Sequence, residues 1–313
     1  MANSRALSLN ELRAEIRKLN RMNADAADYN AVKKIYDRML FQIRVAVGTT
    51  SGGELFFRGR VNPPNKPKHI SEMGAPVAER VTGYQRCNAP HQPLFYCSSR
   101  RITALLECRV KPGDNVCLGQ WIGQDRLPVN KVLDTQEGIE SADSLTDLEC
   151  VFYAHLDTVF TRRIHYTFSN DYIFSAAASE VLTSNFAPGE FNIRDDGRIG
   201  IRYPSIFDLK SSYNTAFPPK FALERIELLH LMELRVDACE ANEITASVLD
   251  TAVEFDDGAI HWTGNNTCLP APRRQDGSVM FIRKGEKWRL ATTADLTMPQ
   301  AQSETLLKSL LTE

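Results

Sequence analysis

Residues 84–107 read YQRCNAPHQPLFYCSSRRITALLE, and a strand, a turn and a helix follow one another within them. The run PLFYC at 93–97 is short and aromatic and is bounded by Pro and polar residues, which predicts a strand. Eleven residues separate Tyr96 from Glu107. That spacing accommodates a strand end, a tight turn at Cys97 to Arg100 and about two helical turns from Ile102. Such a path can bring a phenol and a carboxylate to one cleft.

Outward from this stretch, ELFFRGR at 54–60, DNVCLGQWI at 114–122 and ECVFYAHL at 149–156 read as further strands, joined by loops rich in Pro, Gly and Asn. Upstream, Ser8 and Glu11 form a capping-box pattern. Leu9, Leu12, Ile16 and Leu19 recur at helical spacing, so a helix is expected from Leu9 to Arg21. Asp28 can cap a second helix with Val32, Ile35, Met39, Leu40 and Ile43 on one face, ending before Gly48 to Gly53. Residues 1–50 thus read as a helical hairpin.

Downstream, Ile173, Phe174, Ala177, Val181 and Leu182 predict a helix over Asn170 to Asn185, and Phe191 to Tyr203 reads as a hairpin turning near Asp196-Gly197. The runs RIELLHLMELRVDA, EITASVLDTAVEF, GAIHWTG and VMFIRKGEKWRLAT predict antiparallel strands with turns at Asp257-Gly258 and Lys284-Gly285. A last amphipathic helix is expected over Pro299 to Leu311.

Three segments stand out together: FFRGR at 56–60, the stretch at 84–107, and GIRYPS at 200–205 followed by SYN at 212–214. They supply Phe57-Arg58, Arg86-Cys87-Asn88, Tyr96, Ala104-Leu105-Leu106-Glu107, and Tyr203-Pro204-Ser205 with Gly200 before it and Asn214 after it. In this order the elements resemble the RES domain, a family named for its Arg, Glu and Ser. The resemblance covers roughly Leu55 to Val236. It implies an α+β fold with an ADP-ribosyltransferase-like mixed-sheet core at 51–236, to which this chain adds the helical hairpin and, at 237–313, C-terminal antiparallel strands and a helix. It further implies degradation of NAD, a toxin paired with an antitoxin protein, and a homodimer. The chain departs from the family pattern at Cys87, where an aromatic is common, and in a longer stretch between Glu107 and Ser205.

Cleavage of the nicotinamide-ribose bond needs no metal, because nicotinamide leaves as a neutral ring and the transition state resembles an oxocarbenium ion. NAD is then the substrate, with water or inorganic phosphate as acceptor, and no cofactor is expected. Glu107 is the first-choice catalytic residue, a carboxylate that can bond ribose hydroxyls and stabilise the developing positive charge. Arg58 can grip the pyrophosphate with its planar fork of donors. Tyr96 can stack on nicotinamide or bond a ribose oxygen, and Ser205 and Asn214 can orient the amide or ribose. Arg86, Asn88 and Arg60 complete the substrate-binding candidates, Arg60 being the nearest rival to Arg58 two residues along the same strand face.

Each of these residues has a plainer reading. Taken alone, Arg58 is a strand-edge arginine reaching solvent, Glu107 an exposed helix residue, Tyr96 a core aromatic with a satisfied hydroxyl, and Ser205 a turn residue. Arg100, Arg101 and Arg109 read as solvated charges flanking the Glu107 helix. The segment AHLDTVF at 154–160 superficially matches a His-x-Asp-Thr-Val motif of dinuclear zinc peptidases. Those enzymes also carry a Glu-Glu pair downstream, and this sequence contains no such dipeptide, so His155 reads as a strand residue. Two further rivals are transfer of ADP-ribose to a macromolecule and a non-catalytic assembly domain.

Composition narrows the classes. With 313 residues and 43% hydrophobic content the chain can bury a substantial core, and 37 basic against 39 acidic residues give a net charge of -2, with no field to recruit nucleic acid or anionic membranes. No apolar stretch reaches the length of a membrane span, and the amino terminus lacks the apolar core of a secretory signal, so a cytoplasmic location is expected. The seven cysteines are scattered singly and read as reduced thiols.

Overall fold

The computed structural model describes residues 6–41, 43–45, 47–132, 145–184, 198–207, 212–240, 243–264, 279–284, 287–290 and 306–309. The fold is mixed α and β. Its main sheet has ten strands in the order β1 (Val47–Thr49), β5 (Pro128–Lys131), β6 (Gly200–Pro204), β7 (Tyr213–Phe217), β3 (Phe95–Ser98), β2 (Leu55–Val61), β4 (Asn115–Gly123), β8 (Ile226–Glu240), β9 (Glu243–Asp256) and β10 (Ala259–Trp262). The chain divides into two compact units.

The first unit comprises Met1–Thr50, Ala75–Tyr96 and Leu127–Ala222. Helix α1 (Leu9–Arg21) starts at the Ser8/Glu11 capping box, both halves of which form, and α2 (Tyr29–Leu40) starts at Asp28, whose side chain accepts the Ala31 N–H. α4 (Asp147–Thr161) opens with a second capping box, Thr146 and Glu149, and α5 (Ile173–Thr183) follows a 3-10 turn at Tyr166–Tyr172. These helices bury Leu12, Leu19, Tyr36, Met39, Phe152, Leu156, Phe160 and Leu182 in one core. Each large apolar side chain removed from water there contributes about 1.5–3 kcal/mol. Arg44 forks onto the buried Glu149 through Nε and Nη2 at 2.7 and 2.9 Å, which with burial opposing holds that carboxylate near about 2. In this unit β5 pairs with β1 antiparallel and β6 parallel, while β6 and β7 form an antiparallel pair.

The second unit comprises Ser51–Gly74, Cys97–Arg126 and Leu223–Glu313. β2, β4, β8, β9 and β10 pair antiparallel in succession. The turn expected at Asp257-Gly258 is present, with positive φ at both residues (49° and 83°), the geometry a two-residue hairpin of this twist requires. Helix α3 (Arg101–Glu107) lays Ala104 and Leu105 against Phe57, Val116, Leu118, Met232 and Leu234.

The structure corrects two readings, ECVFYAHL and the C-terminal helix. ECVFYAHL is not a strand: it lies within α4, whose buried residues Glu149, Phe152, Tyr153, His155, Leu156 and Phe160 wrap so much of the helix that no clean helical period shows. The helix expected over Asn170 to Asn185 is present, its α-helical part running Ile173–Thr183. Within the C-terminal helix expected over Pro299 to Leu311, Leu306–Ser309 is a strand, paired with Val279–Lys284 in a separate three-stranded sheet. The rest of that segment, the hairpin turn at Asp196-Gly197, Gly285 and Cys268 lie outside the described residues.

Candidate active site

In the second unit the alternation of β2 sorts its side chains. Phe57 joins the core beneath α3, with Leu55 and Val61 packed alongside, so Arg58 and Arg60 leave on the other face. There Arg58 donates from Nε to the Met73 carbonyl and from Nη2 to the Gly74 carbonyl, both at 3.1 Å, and Arg60 donates from Nη1 to the Glu72 carbonyl. The acceptors belong to the C-terminal end of a 3-10 turn at Ile70–Met73, where carbonyls lack intrahelical partners. Carbonyls orient a guanidinium without neutralising it, so both arginines keep their charge in these contacts.

Glu107 is the last residue of α3, and the N–H of the next residue, Cys108, closes the helix onto the Ala104 and Leu106 carbonyls. Gly59 permits the approach of this helix end to β2: a Cβ there would stand 3.0 Å from Cys108 Sγ. Burial pushes the Cys108 thiol up to about 11, while the positive charge of Arg58 pulls it down and the negative charge of Glu107 pushes it up. Two candidate residues 49 positions apart therefore act electrostatically on one thiol.

The sequence reading missed a polar cluster under the start of α3. Arg101 is buried, not solvated: its Nη2 donates to Gln120 Oε1 at 2.8 Å, and its guanidinium lies 5.5 Å from the Phe57 ring centroid. His230 sits opposite Gln120 across the β4–β8 pair, and neither of its ring nitrogens has a hydrogen-bond partner among the described residues. Burial, helped by the charge of Arg101, holds this imidazole at about 3. Only tertiary pairing reveals the cluster, since Arg101, Gln120 and His230 share no local spacing.

In the first unit the Tyr96 hydroxyl donates to Asn88 Oδ1 at 2.6 Å and accepts the Cys87 N–H at 2.9 Å. Asn88 is buried, and its Nδ2 donates to the Ala89 carbonyl at 3.2 Å. The plain reading of Tyr96, an aromatic with a satisfied hydroxyl, describes these contacts. The Cys87 thiol is pushed up to about 12 by burial, and its backbone N–H is held by the Tyr96 hydroxyl. Ser205 is fully buried. Its Oγ accepts the Phe207 N–H at 3.2 Å and its own N–H donates to the Ser212 carbonyl at 3.1 Å. Asn214 lies across the β6–β7 pair from Tyr203.

Arg86 is buried in the same unit. Its Nη1 donates to the carbonyls of Phe160 and Arg162, and the guanidinium rests over the Tyr172 ring at 5.1 Å. A cation at the carbonyl end of α4 also complements the helix dipole. Arg58, Arg60 and Glu107 thus belong to the second unit, and Arg86, Asn88, Tyr96, Ser205 and Asn214 to the first.

The His-x-Asp-Thr-Val motif falls inside α4, where residues two apart point about 200° apart around the helix axis, so His155 and Asp157 do not converge on one ion. Among the described residues no group of three His, Cys, Asp or Glu side chains is placed to hold a metal. No described helix is long and apolar enough to cross a membrane. The six described cysteines form no disulfide with one another. No family model matches this chain, and no curated protein matches it.

Proposed function

We propose that this protein cleaves the nicotinamide-ribose bond of NAD, with water or inorganic phosphate as acceptor. The observation that supports the reading is the close packing of the helix end that carries Glu107 on β2, the strand that carries Arg58: a Cβ at Gly59 would stand 3.0 Å from Cys108 Sγ. A dinucleotide offers both signs of charge: an anionic pyrophosphate and, as the bond breaks, a cationic ribose.

In this reading Arg58, backed by Arg60, attracts the pyrophosphate, since its bonds to the Met73 and Gly74 carbonyls fix its plane and leave its charge intact. Glu107 holds the ribose and stabilises the oxocarbenium character, and nicotinamide departs as a neutral ring, so no proton need be delivered to it. Tyr96 presents its ring, its hydroxyl being engaged with Asn88 and Cys87. An enzyme that consumes NAD requires restraint in its own cell, so an antitoxin protein is the proposed partner and a homodimer the proposed assembly. Incubation of the purified chain with NAD, with and without phosphate, and chromatography of free nicotinamide tests the reading. Release that disappears in Glu107→Gln supports it, and NAD left intact under every condition opposes it.

A further inference from the structure

α1 and α4 lie against each other in the first unit, and between them opens a groove of about 320 Å³. On the α1 side Arg13 and Arg17, one turn apart, stand beside the partly buried Ile16; on the α4 side Val151 and Ala154 complete an apolar wall. Two like charges at this spacing repel each other on a bare helix. Among the described residues no hydrogen bond or ion pair reaches either guanidinium.

The floor of the groove is His155, which is 7% exposed. Its ring stacks on Tyr36 at 5.9 Å, and its Nε2 lies 3.1 Å from the Tyr36 hydroxyl. The other nitrogen, Nδ1, has no partner among the described residues, although the ring lines the groove. Open to the groove, this nitrogen is a hydrogen-bonding position that a bound hydroxyl can take over from water. Burial holds this imidazole at about 4, so it is neutral at physiological pH and takes part as a hydrogen-bonding group, not as a charge.

Two exposed cations at the rim without a protein partner among the described residues, an apolar wall and a neutral polar atom open to the groove together define a ligand. We propose that this groove binds a small organic carboxylate that bears a hydroxyl group. Arg13 and Arg17 take the carboxylate, Ile16, Val151 and Ala154 contact the carbon body, and the hydroxyl reaches His155 Nδ1. The volume lies at the small end of the range for ligand sites, which fits a small molecule. None of these residues belongs to the NAD reading, and the site stands or falls separately from it.

The test uses the full chain and three probes: 4-hydroxyphenylacetate, phenylacetate and an acidic amphipathic helical peptide. The proposal expects saturable calorimetric binding of 4-hydroxyphenylacetate with a dissociation constant at or below about 1 mM, and weaker binding of phenylacetate. Replacing both Arg13→Gln and Arg17→Gln should weaken binding about tenfold or more. Ala154→Trp, at an exposed position, should block the groove without changing charge. Absence of saturable binding, affinity unchanged in both variants, equal affinity for phenylacetate, or binding of the peptide alone would each overturn the proposal.

Discussion

The hydroxyl of Tyr96 donates to Asn88 at 2.6 Å, so two residues that sequence alone marks as candidates are bonded to each other. The same oxygen accepts the Cys87 N–H, and both of its hydrogen-bonding roles are therefore engaged. In the proposed function only its ring is left to meet a substrate, and its hydroxyl holds the loop that carries Arg86, Cys87 and Asn88.

Tyr96→Phe should accordingly lose about 1–3 kcal/mol of stability, because Asn88 Oδ1 and the Cys87 N–H are left without their partner. Nicotinamide release should persist if the protein is assayed well below its unfolding midpoint. Urea unfolding followed alongside turnover separates the two effects. Unchanged stability with abolished turnover would instead make the hydroxyl a chemical participant.

Gly200→Ala should destabilise the first unit by about 1–3 kcal/mol through overpacking. A Cβ at this position would stand 2.6 Å from two ring carbons of Phe217 and 3.0 Å from Val129 Cγ1. Phe217 is fully buried and stacks on Phe221 at 5.6 Å, so the ring has no room to yield. A thermal unfolding scan of the variant checks this, and a midpoint equal to that of the parent contradicts it.

Acid should weaken the fold before the carboxylates titrate. Burial holds His155 at about 4 and His230 at about 3, against an ordinary value of 6.5. An unfolded chain protonates both rings as pH falls through about 6.5, while the folded chain does not, so stability drops from there toward pH 4 by up to about 1.4 kcal/mol per unit for each ring. Glu149, held at about 2, adds the same sense of loss at lower pH, its contribution being complete above about 4.5 and lost as pH falls through about 2. Replacing His230 by Leu should flatten the fall between pH 6 and 4 in a urea-midpoint series, and an unaltered slope would show that the ring is not the cause.

The N-terminal helices were legible because their signals are local: Ser8 with Glu11 and Asp28 with Ala31 are caps within one turn. α4 was misread although it carries the same kind of signal, Thr146 with Glu149, because its apolar residues crowd several faces and resemble a buried strand. Leu306–Ser309 became a strand by pairing with Phe281 and its neighbours, a partnership with no trace in the segment itself. At the candidate site, the strand bearing Arg58 and the helix ending at Glu107 could be read from pattern. The carbonyls that hold Arg58, the bond between Tyr96 and Asn88 and the cluster of Arg101, Gln120 and His230 could not, because each depends on groups brought together only by folding.

The central claim is that Glu107 and Arg58 do chemistry on NAD, and the most direct measurement is nicotinamide release by the parent chain, Glu107→Gln and Arg58→Ala, alongside NAD binding by each. The account predicts that Glu107→Gln binds NAD about as well as the parent and loses most turnover, whereas Arg58→Ala loses binding itself. Parent-like release and binding in both variants would contradict it.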